Sequence, residues 1–90
     1  MAQLTALKFE QITGLSSAKG LTAPPGTTRV LVMATAQNVR WRDDGEDPSA
    51  TVGQVLVTNT EKWFAENFAV LKFFEAAPSA VLNVTYYADE

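Results

Sequence analysis

The chain contains no cysteine and no histidine. Without cysteine there are no disulfides and no thiolate metal sites. Without histidine the commonest general base and the commonest zinc ligand are missing, so serine or cysteine triads of the usual kind are excluded. Basic charge is also scarce. Seven Lys and Arg against ten Asp and Glu give a net charge of −3, and the isoelectric point is about 4.8. An acidic chain lacks the basic footprint of a nucleic-acid binder and suits polybasic membrane recognition poorly. No apolar run is long enough to span a membrane. The first residues lack the charged-then-apolar layout of a signal peptide. The expectation is a protein made in a reducing cytoplasm, with no nucleic acid, membrane, cofactor or metal among its partners.

What is present is a set of short alternating runs. Ninety residues make one small domain, residues 1–90, with a modest core. In 4–12 the alternation predicts a strand with Leu7 and Phe9 inward. Residues 13–27, rich in Gly, Ser, Ala and Pro, read as a long loop held down by Leu15 and Leu21. Residues 29–36 are apolar on both faces, the pattern of a strand covered on two sides. Val30, Val32, Ala34 and Ala36 share one parity, whereas Val39 and Trp41 take the other. A bulge near Gln37 and Asn38 is the expected adjustment. Residues 54–58 and 69–75 read as further strands, the second with Leu71 and Phe73 opposite Val70, Lys72 and Phe74. In 80–87, Leu82, Val84 and Tyr86 line one face.

Residues 61–76 admit a rival reading. They contain no Gly or Pro, and Thr58-Asn59-Thr60-Glu61 fits a capping box. The apolar residues there surround a helix axis instead of forming one stripe, which a chain of this size cannot bury. Two strands joined near residues 65–68 are preferred to a helix. The fold class is then all-β: a single small antiparallel β-sandwich or barrel of six or seven strands.

The most distinctive stretch is 38–53. Val39 and Trp41 alternate with Asn38, Arg40 and Arg42. Asp44-Gly45 supplies a tight turn, Pro48 stiffens the loop, and Gly53 marks a bend or bulge. Arg40 and Arg42 either meet an acidic partner or pair with Asp43, Asp44 or Glu46 across the hairpin. Asp43, Asp44, Glu46 and Asp47 suggest calcium by composition. Their spacing is not that of an EF-hand, and a solvated, self-capping turn explains them better. They do not face each other across a cleft as a glycosidase pair must.

The same stretch, as Val39-Arg40-Trp41-Arg42, Asp44-Gly45, Pro48-Ser49-Ala50-Thr51 and Gly53, resembles a pattern in small bacteriophage virion proteins. The Gly20-Leu21-Thr22-Ala23-Pro24-Pro25 loop, Leu71-Lys72-Phe73 and the closing Leu82-Asn83-Val84-Thr85-Tyr86-Tyr87 look similar too, so the likeness runs along nearly the whole chain. Ser49 stands where Thr is commoner, and a Gly expected between residues 63 and 68 is absent. The resemblance implies a non-enzymatic virion structural protein of β-sandwich type, located in the phage particle. The best-fitting role is a capsid decoration (cement) protein that stabilises the shell by bridging subunits. The alternatives are a tail, adaptor or fibre component, and a carbohydrate- or ligand-binding β module. The expected partners are further copies in a homo-oligomer and the major capsid protein or other virion proteins. A small sandwich has one interior, so apolar residues on both faces of a strand leave some for contact with other chains. Val70 and Phe74 are the candidate assembly contacts, and Trp41 is the candidate core anchor.

Overall fold

In the computed structural model, residues 3–89 are described. Eight strands form, and no helix is found among these residues. They are β1 (Leu4–Ile12), β2 (Lys19–Gly20), β3 (Arg29–Thr35), β4 (Val39–Arg42), β5 (Gln54–Leu56), β6 (Glu61–Phe64), β7 (Lys72–Glu75) and β8 (Val81–Asp89). They make two four-stranded antiparallel sheets, ordered β1-β8-β3-β6 and β2-β7-β4-β5. The strand count exceeds the six or seven expected because residues 13–27 are not all loop. Lys19 and Gly20 pair with Phe73 and Lys72 at the edge of the second sheet, too short a run to show a period. The stretch 61–76 resolves as β6, a turn and β7.

One buried cluster lies between the sheets. Val30, Val32 and Ala34 of β3 and Leu82, Val84 and Tyr86 of β8 are fully buried from one side. Val39 and Phe73 are fully buried from the other. Leu15 joins them with zero exposure, and Leu21 and Ala23 pack against the cluster. The segment between β1 and β3 is thus held down by Leu15 and Leu21, as expected. Its backbone is tied as well: Glu75 N–H donates to Leu15 O at 2.9 Å.

Two expectations fail for identifiable reasons. The parity change after β3 is not a bulge within one sheet. Ala36 takes φ 72°, and the chain crosses from the first sheet to the second, so β3 and β4 face the same core from opposite sides. Asn38 locks the crossing. Its Oδ1 accepts from Thr58 N at 2.8 Å and Thr58 Oγ1 at 2.7 Å.

Leu7 and Phe9 are not inward either; they are 39% and 60% exposed. The β1–β8 register shifts between Ala6 and Lys8, leaving Leu7 as an extra residue. Lys8, Glu10 and Ile12 then oppose the inward Tyr86, Val84 and Leu82. A charged pair tolerates this side because β1 is the sheet edge, where the core ends. Glu10 is also used there, since its carboxylate accepts the Tyr86 hydroxyl proton. That hydroxyl in turn accepts from Thr22 N–H at 3.2 Å, satisfying the polar tip of a buried tyrosine.

Candidate docking surface

The motif at 38–53 folds onto itself. Val39 is buried, and Trp41 packs against the cluster with its ring edge-on to Phe64 at 5.0 Å. Lys62 Nζ lies 5.4 Å from the Trp41 ring and 5.2 Å from the Phe64 ring, closing this rim of the core by cation–π contact. Gly53, at φ 129°, lies where a Cβ would sit 3.0 Å from Trp41 O, 3.2 Å from Pro48 Cβ and 3.3 Å from Arg40 Cβ. Gly53 O accepts from Arg40 Nη1 at 3.0 Å. Pro48 is buried, and Gly45 turns the loop at φ 86°. The pattern is therefore a packing device: it brings Arg40, Trp41, Pro48 and Gly53 into contact.

Of the two arginines, Arg42 makes the pairing within the hairpin that the sequence allowed, and Arg40 does not. Arg42 pairs with Asp44 through two hydrogen bonds, 3.0 Å from Nε and 2.5 Å from Nη2. This pairing holds the Asp44 carboxyl below its usual range and raises Arg42. Asp44 Oδ1 also accepts from Glu46 N–H, the self-capped turn expected of the acidic cluster. Arg40 instead bonds backbone. Around this loop, Trp41, Arg42, Asp43, Asp44, Val52, Gly53 and Gln54 line a shallow open depression in which Arg42 is already paired with Asp44.

The outer face of the second sheet carries Arg40, Arg42, Lys72, Phe74 and Val55 in register: Phe74 and Val55 both oppose Arg40, and Lys72 opposes Arg42. Phe74 is half-buried in this basic setting. Val70 is 37% exposed in the turn before β7. Phe74 shares its row with exposed Val55, the two separated by Arg40.

The larger apolar surface lies on the outer face of the first sheet. Strand register aligns Phe9, Thr85, Leu31 and Trp63 in one row that crosses all four strands. Phe9 and Trp63, at its ends, are 60% and 47% exposed. Met33 lies in the next row, between Asn83 and Glu61. Tyr87 stands diagonally to Trp63, ring centroids 5.3 Å apart at 45°. Polar pairs bound the strip: Gln11 Nε2 donates to Asn83 Oδ1 at 3.0 Å, and Arg29 pairs with Asp89 at 3.1 Å. An apolar centre with a polar margin is the anatomy of a protein-binding patch. The sequence contained a signal for it. Residues 29–36 are apolar on both faces while only one face meets a core, so Leu31 and Met33 had to turn outward. Phe9 was hidden by the bulge.

No protein-family model, curated protein or solved structure matches this chain, so the surface is defined by its own geometry.

Proposed function

We propose that the chain is a non-enzymatic structural protein of a bacteriophage particle, a small β-sandwich that decorates the capsid by docking the outer face of the β1-β8-β3-β6 sheet on the shell. The observation that carries this reading is the Phe9–Thr85–Leu31–Trp63 row, apolar at three of its four positions and uncovered. The resemblance of residues 38–53 to small virion proteins supplies the setting. Covering the strip with neighbouring shell subunits removes apolar surface from water at roughly 25 cal/mol per Å². Contact with two subunits at once ties them together, which is the mechanism of a cement protein.

The test is co-sedimentation of purified protein with shells of the phage that encodes it. Wild type should pellet with the shells. Trp63→Asp should stay in the supernatant while keeping its folded circular dichroism, because a carboxylate on the strip would be desolvated on docking. Binding unchanged by Trp63→Asp rejects this face as the contact. Cryo-electron microscopy of the particle separates a capsid position from the tail, adaptor or fibre alternative.

Exposed Trp63 beside Tyr87 also raises the carbohydrate-binding reading. The 45° tilt between the Trp63 and Tyr87 rings makes a poor flat platform for a sugar, and Gln11 Nε2 and Asn83 Oδ1 are already engaged with each other. Retention on immobilised polysaccharide would reverse that preference.

A further inference from the structure

We propose that β1 is a self-pairing edge, and that two copies join through it into one continuous eight-stranded sheet about a two-fold axis at Phe9. The inference concerns the rim of the first sheet, not its face, and stands whether or not the virion reading does. β1 is bonded to β8 along its length on one flank, and no strand lies on its other flank among the described residues. The other sheet edges are short: β2 has two residues, β5 three and β6 four, whereas β1 has nine. The β6 edge also presents Lys62 inward, its ammonium already engaged by two aromatic rings. The part of β1 from the bulge onward, residues 7–12, is a proline-free edge and a template for strand addition.

The charges on β1 choose the partner and the register. Lys8 and Glu10 flank Phe9 and share one side of the strand, facing Tyr86 and Val84 of β8. Lys8 makes no ion pair among the described residues, and Glu10 uses only Oε2, on Tyr86. Antiparallel pairing centred on Phe9 sets Lys8 of each copy opposite Glu10 of the other, giving two cross-strand ion pairs by symmetry. Glu10 Oε1 is free to receive the lysine. Centring on Lys8 or on Glu10 sets like charges face to face, so the same residues penalise the neighbouring registers. Phe9 meets Phe9 of the partner subunit on the outer face. The most exposed of the large apolar side chains is thereby covered, and the two apolar strips become one. The Leu7 bulge ends the ladder on each side.

The experiment uses the full chain. Light-scattering mass should be twice that of the 9.8 kDa protomer for wild type. Lys8→Glu sets Glu against Glu and should return the protomer mass. The charge swap Lys8→Glu with Glu10→Lys should restore the dimer. Because Glu10→Lys removes the Tyr86 contact, a second variant carries the register claim. Phe9→Cys supplies the only thiol in the chain, and on mild oxidation it should cross-link to a covalent dimer at least tenfold faster than Gln11→Cys. Gln11 would face Leu7 of the partner subunit, not its own copy. A wild type with protomer mass at millimolar concentration overturns the proposal. So does a Lys8→Glu variant that stays dimeric, or equal cross-linking from the two cysteine positions. None of these readouts involves shells, so failure here is separable from failure of the docking face.

Discussion

Gly53→Ala tests whether the 38–53 motif is a packing device. The backbone at Gly53 has φ 129°, outside the left-handed basin near 57° that other residues occasionally visit. Holding an alanine there costs about 1–3 kcal/mol. The new methyl also meets Trp41 O at 3.0 Å, Pro48 Cβ at 3.2 Å and Arg40 Cβ at 3.3 Å. Two of these neighbours belong to the β4 backbone or lie next to it, and the third is a rigid ring, so none can rotate away. Overpacking of this kind adds about 1–3 kcal/mol. The sum, about 2–6 kcal/mol, lowers the melting temperature by at least about 8 °C in a domain of this size. Gly26→Ala and Gly45→Ala are the controls. Both have positive φ, 90° and 86°, but nothing lies within 4 Å of an added Cβ. They should cost only the conformational part, about 1–2 kcal/mol. Thermal and urea melts of the three variants make the comparison. If Gly53→Ala loses no more than the controls, the close approach to Trp41 and Pro48 is not what the motif is for.

Trp41→Ala should cost about 3 kcal/mol in urea melts, the low end for a large aromatic, because the ring is only half-buried. Tyr86→Phe strands the Thr22 N–H and removes the donor to Glu10, and should cost about 1–3 kcal/mol. Burial and the Glu10 bond push the Tyr86 hydroxyl well above its ordinary 10.0. Its contribution is then complete below pH 10 and lost as pH rises toward the folded value, so wild type should destabilise above pH 10 more steeply than Tyr86→Phe. The Asp44 carboxyl, held down by Arg42, works in the opposite sense. Its contribution is present above its ordinary 3.8 and disappears as pH falls through the lower folded value, so any gap between wild type and Asp44→Asn should close in acid melts.

What the sequence made legible is what local periodicity encodes. Val30, Val32 and Ala34, Leu82, Val84 and Tyr86, and Leu71 and Phe73 alternate with less apolar or outward residues, and all are buried. Two-state alternation is unambiguous where a strand lies over the middle of a core. It fails at β1, where the neighbouring layer ends and the inner side no longer demands apolar groups. There Lys8 and Glu10 could take the inner side, and one extra residue at Leu7 reversed the parity of the strand. It fails again at residues 36–38, because a change of face within a sheet and a change of sheet leave the same trace in sequence. β2 was invisible because two residues have no period, and it exists only through its pairing with β7. The docking strip is a non-local object. Phe9, Leu31 and Trp63 are far apart in the chain and become neighbours only through register.

The placement of charge supports the choice of face. On the second sheet three of the cations are engaged within the chain: Arg42 by Asp44, Lys72 by Asp47 at 3.8 Å, and Arg40 through Nη1 by Gly53 O. Lys19 of β2, by contrast, makes no ion pair among the described residues, and Arg40 Nε is buried without a partner. The acidic residues Asp43, Asp44, Glu46 and Asp47 follow β4 and precede β5, both strands of that sheet. Much of the negative charge that keeps an acidic subunit soluble therefore belongs to the sheet that does not carry the strip. Docking through the Phe9–Trp63 row removes apolar groups from water without stripping the solvent from those carboxylates, a cost of several kcal/mol per ion when a charge is buried unpaired. Docking through the face that holds Phe74 would cover Arg40, Arg42 and Lys72 together with their partners, and would gain only Phe74 and Val55 in apolar contact. The two faces thus divide the problem: one carries most of its charge next to partners in its own chain, and the other offers apolar surface bounded by the Gln11–Asn83 and Arg29–Asp89 pairs.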